Sequence, residues 1–349
     1  MVMIDHPLLK NFFLSLTIIS VPYVVLAEKS ELWITPMTEY GHPDLQGSWT
    51  NPYQTPLERP TELGGQRAYT HEQAQALIDY ARELDAARRE PLDPNRPPPE
   101  AGERINNQAD GNFETMPTEL AVIDGEIRTS FVIDPENGRI PRLSSARDIH
   151  AQWRSEGKGR FDGPEALTPL DRCLSPGGQL PLMYIFGGVG HPQGNPAGDN
   201  PVRNVQIIQN KDYIVILAEY FSLVRIIRLN SDHQASQGNK WLGDSIGHYE
   251  SDSLIVNTRY FRPEQSIAPM RSSTSFTVEE RYTRTGEDEI LFQYTVTDPN
   301  IYSQPFTAQI PLRRMAAGQR LYEYACHEGN YSIPSMLRAA RMAEQGLLK

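Results

Sequence analysis

The segment Tyr322–Tyr331 concentrates side chains that can transfer a proton or bind a polar ligand. Tyrosines, a histidine, two glutamates and an asparagine surround one cysteine there. Histidine donates or accepts a proton near neutral pH, and a neighbouring carboxylate can orient a reaction partner. His327, Glu328 and Tyr324 are therefore candidate catalytic residues. The alternative is that Glu328 and Asn330 cap a last strand while His327 is exposed, since consecutive strand residues point to opposite faces.

A predicted hairpin provides the second candidate site. Alternation places Tyr213 and Glu219 on one face of its first strand, and Arg225 follows on the second strand after a short turn. We expect Glu219 and Arg225 to meet, either as an ordinary cross-strand ion pair or as a pair in a cavity. Glu219 is then a catalytic candidate, and Arg225 and Tyr213, with Tyr294 on a later strand, are candidates for substrate binding.

Asp244 is a further catalytic candidate if it lies at the mouth of a barrel, and otherwise it is a turn residue. Other signatures are absent from the sequence: an H-E-x-x-H motif, a cysteine or histidine pair at zinc-ligand spacing, and a G-x-S-x-G elbow. The glycines at 187–190 lack the context of a phosphate-binding loop. We expect neither a cofactor nor a metal, although a metal site assembled from distant strands stays open.

Residues 1–27 have the form of a secretory signal peptide. Lys10 precedes the apolar run Asn11–Leu26, and a V-x-A cleavage signal ends at Ala27. The alternative is an uncleaved anchor, but the run is short for a bilayer span and a proline interrupts it. We expect cleavage after Ala27, a periplasmic or secreted protein, and no membrane span in the mature chain.

Two cysteines, Cys173 and Cys326, are the only ones in the chain. In an oxidising compartment they most simply form one disulfide that closes a very long loop. Free buried thiols or a catalytic thiol are the alternatives, but neither cysteine lies in a C-x-x-C motif. The net charge of −11 argues against a nucleic-acid partner, because phosphate binding needs a basic surface.

The predicted secondary structure that positions these residues differs between the first and the second part of the chain. Residues 28–119 are predicted to form an irregular arm with one helix, which the capping box Thr70–Gln73 begins and which continues to about Arg89. The proline-rich residues 90–102 then form an extended connection. In the domain 120–349, Asn137-Gly138 marks a tight turn between a strand at 127–133 and a strand at 139–140.

The last part of the chain is predicted to be mainly β. Consecutive short strands without helices between them favour an antiparallel meander that closes into a barrel or folds as a strongly curved sheet. Short helices are expected near 146–154 and from Ser332 to about Glu344. The predicted strands are Val205–Gln209, Tyr213–Phe221, Val224–Leu229, Ser253–Thr258, Phe276–Arg284, Ile290–Asp298, Thr307–Arg313 and Leu321–Cys326.

Several phrases resemble those of a large family of exported bacterial proteins, and the resemblance covers nearly the whole mature chain. It implies no particular reaction. The meander is also loosely similar to lipocalin-like (calycin) β-barrels, which is a likeness of architecture alone. The phrases are Asp44–Trp49 (DLQGSW), Thr55–Pro60 (TPLERP), Ile133–Pro141 (IDPENGRIP), Arg172–Leu174 (RCL), Trp241–Ser245 (WLGDS) and Tyr322–Tyr331 (YEYACHEGNY).

These observations favour an exported enzyme that acts without a nucleotide. We expect proton transfer of a lyase, isomerase or hydratase type on a small lipophilic or aromatic molecule bound in the barrel cavity. Two other functions stay open. One is a non-catalytic periplasmic carrier of a hydrophobic ligand, and the other is an envelope interaction protein that docks through the proline-rich arm.

Overall fold

A computed structural model describes residues 33–88, 94–95, 97, 118–175, 204–234, 238–267 and 270–347. The expected signal peptide and most of the proline-rich connection lie outside these residues. All elements described below belong to the unit that begins at Thr35. In the part of the chain that the structure describes, no helix is both long and apolar enough to cross a membrane.

The described residues form twelve strands and three α-helices. The strands are β1 Gly47–Thr50, β2 Val122–Ile123, β3 Glu126–Ile127, β4 Val132–Asp134, β5 Asn204–Gln209, β6 Tyr213–Ala218, β7 Leu223–Leu229, β8 Asp244–Glu250, β9 Ser253–Arg259, β10 Thr277–Gly286, β11 Glu289–Thr297 and β12 Phe306–Arg314. The helices are α1 His71–Arg88, α2 Ile149–Ser155 and α3 Ser332–Glu344.

Nine of these strands close into a barrel, which confirms the predicted fold class. The order around the ring is β1, β5, β6, β7, β8, β9, β10, β11, β12 and back to β1. The short strand β4 pairs with the beginning of β12, on the same edge that pairs with β1 at the end of β12. Each antiparallel pairing reverses the strand direction, so a ring with an odd number of strands needs a parallel pair. That pair is β7 and β8. The prediction that every neighbouring strand is antiparallel is therefore wrong at this one pair.

Side chains of alternating strand residues fill the inside of the barrel. Along β11, for example, Ile290, Phe292, Tyr294 and Val296 are fully buried and their neighbours are half-buried. The ring of Phe292 stacks on that of Tyr282 at 4.7 Å and lies 5.5 Å from that of Tyr294. Period-two alternation therefore separates an apolar interior from a mixed outer wall.

Local signals at the helices are confirmed. The Thr70 hydroxyl accepts from the Gln73 amide at 3.2 Å, and the Gln73 side chain accepts from the Thr70 amide at 2.9 Å, so the capping box begins α1 as predicted. Helix α3 begins at Ser332 and ends at Glu344, also as expected.

The arm contributes to the barrel, which the sequence did not predict. Strand β1 pairs with both β5 and β12, so the boundary expected near residue 120 does not separate the barrel from what precedes it. Strand β8 was missed as well. Its sequence DSIGHYE contains a glycine and few β-branched residues, and this weakens the local strand signal.

Two predicted strands are wrong. After the turn at Gly138, whose amide donates to the Pro135 carbonyl at 2.8 Å, the chain does not return along β4. Instead, the Gly138 carbonyl accepts from the Arg59 amide at 2.8 Å, because the segment that precedes Pro60 takes the place of the second strand. The predicted strand at 321–326 is also absent, and side chains rather than a strand ladder hold that backbone.

Candidate functional site

Two of the candidate residues, Glu219 and Tyr324, lie at the end of the barrel at which β5 begins with Asn204. Because β5 and β6 are antiparallel, β6 ends at this level, and a turn formed by residues 219–222 leads into β7. Because β8 is parallel to β7 and β9 is antiparallel to β8, β8 begins and β9 ends on the side of the barrel that faces this end. We call this part of the molecule the Asn204 end.

The turn between β6 and β7 brings two predicted catalytic residues together. The Glu219 carboxylate accepts one hydrogen bond from the Asn204 side-chain amide at 3.1 Å and another from the Tyr322 backbone amide at 2.8 Å. The Ser222 hydroxyl lies 3.3 Å from both the backbone nitrogen and the carbonyl oxygen of Tyr324. We call Asn204, residues 219–222 and residues 322–324 the turn cluster.

The Glu219 carboxylate has only neutral hydrogen-bond partners among the described residues. Within the described ranges, no Lys, Arg or His side chain forms an ion pair with it, and both of its hydrogen-bond donors are neutral amides. Each carboxylate oxygen therefore keeps a free lone pair. A half-buried carboxylate with this environment can accept a proton.

Three aromatic rings pack beside Glu219. The Phe221 and Tyr324 rings are stacked at 5.2 Å, and the Tyr220 ring meets them edge-on at 4.8 Å and 4.7 Å. Phe221 and Ser222 both have positive φ, 63° and 48°. A bulky L-residue rarely adopts this conformation, and such strain is found more often at functional sites than elsewhere. The rings offer a surface for a flat or apolar molecule.

The disulfide between Cys173 and Cys326 is confirmed, with its Cα atoms 5.5 Å apart. It fastens the segment that carries Tyr324 to the middle of the chain. His327 and Glu328 follow it on an exposed turn, and no described hydrogen bond joins either side chain to Glu219. These two predicted catalytic residues are therefore exposed and share no described hydrogen bond with the turn cluster.

Arg225 does not pair with Glu219, so the expected cross-strand pair is wrong. In the register of β6 and β7, Arg225 lies opposite Ile216 and faces the barrel interior, whereas Tyr213 faces outward and is 44% exposed. Arg225 instead forms a two-pronged ion pair with the fully buried Glu280 of β10, with Nη1 2.8 Å from Oε1. Two odd-numbered residues in paired strands, such as Glu219 and Arg225, need not face the same side of the sheet. The pairing register between the strands decides which side each residue faces.

Hydroxyl groups complete the environment of this buried pair. Arg225 also donates to Ser245 at 3.0 Å and to Thr258 at 2.8 Å, and Tyr282 donates to Glu280 at 3.1 Å. Burial, followed by the negative charge of Glu280, raises the pKa of Tyr282 well above its ordinary value. Burial alone would lower the pKa of Arg225, but Glu280 outweighs it and raises that pKa. We call these five residues the barrel cluster.

Asp244 is the first residue of β8 and is almost completely buried, so it is not the simple turn residue of the alternative prediction. Its carboxylate accepts two hydrogen bonds from Arg228, both at 3.0 Å, one from Lys240 at 3.2 Å and one from the Gln234 backbone amide at 3.0 Å. It also lies 3.1 Å from Nδ1 of His233. Burial alone would raise the pKa of Asp244, but these hydrogen bonds, led by that of Arg228, lower it far below its ordinary value.

The Asp244 contacts hold the crossover between the parallel strands β7 and β8 against the barrel wall. His233 on this crossover also places Nε2 3.0 Å from the Asn257 side-chain oxygen on β9. Because its partners saturate the carboxylate, Asp244 is poorly suited to accept a proton. Tyr294, a predicted substrate-binding residue, lies fully buried inside the barrel beside Phe292.

Sequence reasoning missed Tyr282 and His233 as residues of polar clusters, and for Glu280 it raised the question of an ion pair but did not identify Arg225 as the partner. For Glu280 a signal was present, because it lies between Val278 and Tyr282 on the buried face of β10. His233 gives no comparable signal, since its role depends on how the crossover lies on the barrel. In the described ranges, no three or more His, Cys, Asp or Glu side chains are grouped so that they could hold a metal ion.

Comparisons with family models, curated proteins and solved structures found no match for this chain.

Proposed function

We propose that this protein is an exported enzyme that moves a proton within a small lipophilic or aromatic molecule held at the turn cluster. The observation that carries the proposal is the Glu219 carboxylate, held by two neutral amides beside three packed aromatic rings. The molecule is placed at the Asn204 end because buried side chains occupy the inward positions of the barrel strands.

Each residue of the turn cluster has a separate task in this proposal. Glu219 is the general base, which takes a proton from the bound molecule at one carboxylate oxygen and returns it to another atom of the same molecule. The ring of Phe221, with those of Tyr220 and Tyr324, binds the flat part of the molecule. Asn204 orients the carboxylate. Such a step is an isomerisation, the one among the lyase, isomerase and hydratase types that a single carboxylate can complete as base and then as acid.

The disulfide fits an exported protein, because disulfides persist in oxidising compartments. A periplasmic or secreted location, after signal removal at Ala27, is part of the proposal. His327 and Glu328 are left out of the mechanism because their side chains are exposed beyond the disulfide.

A non-catalytic carrier is the second candidate, and one observation favours it. The packed rings of Tyr220, Phe221 and Tyr324 can bind a flat molecule without any chemical step, and the buried polar groups of the barrel cluster bond to one another rather than to a ligand. A carrier would use the same rings and leave the molecule unchanged.

The experiment compares binding with turnover for one matched pair of variants. Purified protein is incubated with a small-molecule extract from cells that lack it, and mass spectrometry records both retained and converted molecules. For the enzyme, Glu219→Gln should reduce conversion at least about 100-fold while retention persists, because general bases contribute about 10²–10⁴-fold. Glu250→Gln, which removes an exposed carboxylate on β8, should leave both unchanged.

Retention of an unaltered molecule by the wild type and by Glu219→Gln alike would instead establish the carrier. Conversion that persists at the wild-type rate in Glu219→Gln would remove Glu219 from the mechanism. If Phe221→Leu alters neither retention nor conversion, the molecule does not bind at the turn cluster.

A further inference from the structure

The two sulfurs of the disulfide have different surroundings. Cys173 is 9% exposed, whereas Cys326 is half-buried and begins an exposed turn at residues 326–329. This turn is held locally, since the Glu328 amide donates to the Ala325 carbonyl at 3.0 Å. A reagent from solvent therefore approaches the disulfide from the side of Cys326.

A side-chain amide donates to the buried sulfur. Nδ2 of Asn330 lies 3.0 Å from Sγ of Cys173. The other end of the amide fixes its orientation, because Oδ1 of Asn330 accepts from the backbone amide of Ser332, the first residue of α3, at 3.1 Å. The nitrogen rather than the oxygen of Asn330 therefore faces the sulfur.

This donor is better suited to a thiolate than to a disulfide. A disulfide sulfur is a weak hydrogen-bond acceptor, but a thiolate carries a negative charge and accepts strongly. A donor held in a fixed position therefore stabilises the state in which the S–S bond is broken and Cys173 carries the charge. The start of α3 acts in the same direction, because the N-terminus of a helix favours negative charge nearby.

We propose that the bond between Cys173 and Cys326 is a site of thiol–disulfide exchange, at which a thiolate attacks Sγ of Cys326. A new S–S bond forms between the reagent and Cys326, the bond to Cys173 breaks, and its electron pair leaves on Sγ of Cys173. With a dithiol, the second thiolate of the reagent then displaces Cys326. The dithiol is thereby oxidised to a disulfide, and the disulfide of the protein is reduced.

Exchange at this site controls the turn cluster. After exchange, the segment of residues 322–324 has no covalent tie to Cys173. This segment carries the Tyr324 ring, which stacks on that of Phe221. The regulatory part of the proposal rests on the function proposed for the turn cluster, whereas the exchange itself does not.

Mass spectrometry of the full mature chain tests which sulfur is attacked. Native protein is treated briefly with reduced glutathione and quenched with methyl methanethiosulfonate, which caps the released thiol, and peptides are mapped after digestion in acid. We expect glutathione on Cys326 in at least about tenfold excess over Cys173, because the better stabilised thiolate leaves faster. The same protein unfolded in urea is the control, and there the two cysteines should react equally.

Variants of Asn330 test the source of this preference. Asn330→Asp removes the donor but keeps the oxygen that accepts from Ser332, and it should slow adduct formation at Cys326 at least about tenfold. Asn330→Ala, which adds no charge, should also reduce the preference for Cys326. Asn137→Asp makes the same chemical change on an exposed turn, keeps its bond to the Arg139 amide, and should behave as the wild type.

Equal labelling of the two cysteines in native protein, or an excess on Cys173, would overturn the proposal. So would the absence of any adduct in native protein when the unfolded control reacts. A preference that is unchanged in both Asn330 variants would contradict the assignment of Cys173 as the stabilised thiolate.

Amide exchange in the labelled protein tests the regulatory part separately. Residues 322–324 should exchange faster once Cys326 carries glutathione, and unchanged exchange would overturn control of the turn cluster. None of these measurements uses a substrate. A failure of the reaction proposed for Glu219 would therefore leave the exchange result intact, and the two proposals can fail independently.

Discussion

At the residue scale, the barrel cluster holds a buried pair of opposite charges, Arg225 and Glu280. Arg225 is 2% exposed and Glu280 is fully buried, so both ions have lost their water. Removing charges from water costs several kcal/mol each, and their attraction offsets this only when further hydrogen bonds fill the remaining positions. Ser245, Thr258 and Tyr282 supply such bonds. The stability of the barrel cluster therefore depends on the pairing of its two ions, Arg225 and Glu280.

Removal of one ion should cost more than removal of both. Arg225→Met leaves the Glu280 carboxylate buried and unpaired, and should lower the free energy of unfolding by about 3–5 kcal/mol. The double variant Arg225→Met/Glu280→Leu should be more stable than Arg225→Met, because no uncompensated charge remains. Unfolding in denaturant at equilibrium measures all four corners of this cycle.

An exposed pair on the outer wall provides the comparison. Arg281 and Glu250 lie 2.9 Å apart and are 41% and 52% exposed, so single changes there should cost under about 1 kcal/mol. Additive effects of Arg225→Met and Glu280→Leu would show that the two buried ions do not depend on each other.

At the scale of elements, the entry into β8 depends on a residue without a side chain. Gly243 has a φ of +68°, a conformation that L-residues adopt only at a cost. A Cβ atom built there would lie 2.7 Å from Cγ2 of Thr258 and 2.8 Å from the backbone oxygen of Arg259. The backbone atom cannot move without disturbing β9. A glycine is required for β8 to begin where it does.

Gly243→Ala should therefore destabilise the protein by about 2–5 kcal/mol, as the sum of a conformational and a steric cost. Gly238→Ala separates the two costs, because Gly238 has a φ of +70° and, among the described residues other than its chain neighbours, no atom lies within 4 Å of the position that an added Cβ would take. This control should cost only about 1–2 kcal/mol. Equal melting temperatures for the two variants would contradict the steric part of the argument.

At the scale of the whole molecule, the disulfide ties the C-terminal segment to the middle of the chain across 153 residues. A crosslink that closes so long a loop reduces the entropy of the unfolded chain, by about 5 kcal/mol in the chain-entropy treatment. It also ties the segment that carries Tyr324 to the irregular segment around Cys173, outside the strand ladder. The stability of the whole protein and the position of the turn cluster therefore both depend on this disulfide.

Reduction of the disulfide should lower the melting temperature and loosen the turn cluster together. Native, unreduced protein should show no thiol that a labelling reagent can reach, since both cysteines of the chain are paired. The variant Cys173→Ser/Cys326→Ser should melt at the temperature of the reduced wild type, with faster amide exchange at Tyr322 and Tyr324. Labelling of both thiols in the native protein would contradict the pairing.

Features that depend on neighbouring residues could be predicted from the sequence. The capping box that begins at Thr70 acts over one helical turn, and the alternation of residues along β11 acts within one strand. The disulfide could be expected because the signal peptide predicts an oxidising compartment and the chain has only two cysteines. The run of short strands also led from the sequence to the barrel.

Tertiary structure alone decided which residues meet. Arg225 pairs with Glu280, 55 residues away, because the register turns Arg225 inward, and a shift of one residue would have turned it outward. Asp244 is buried because the crossover between two parallel strands folds over it. Register and strand order are properties of the closed ring, since each strand is placed by two neighbours at once, and no single segment of sequence contains that information.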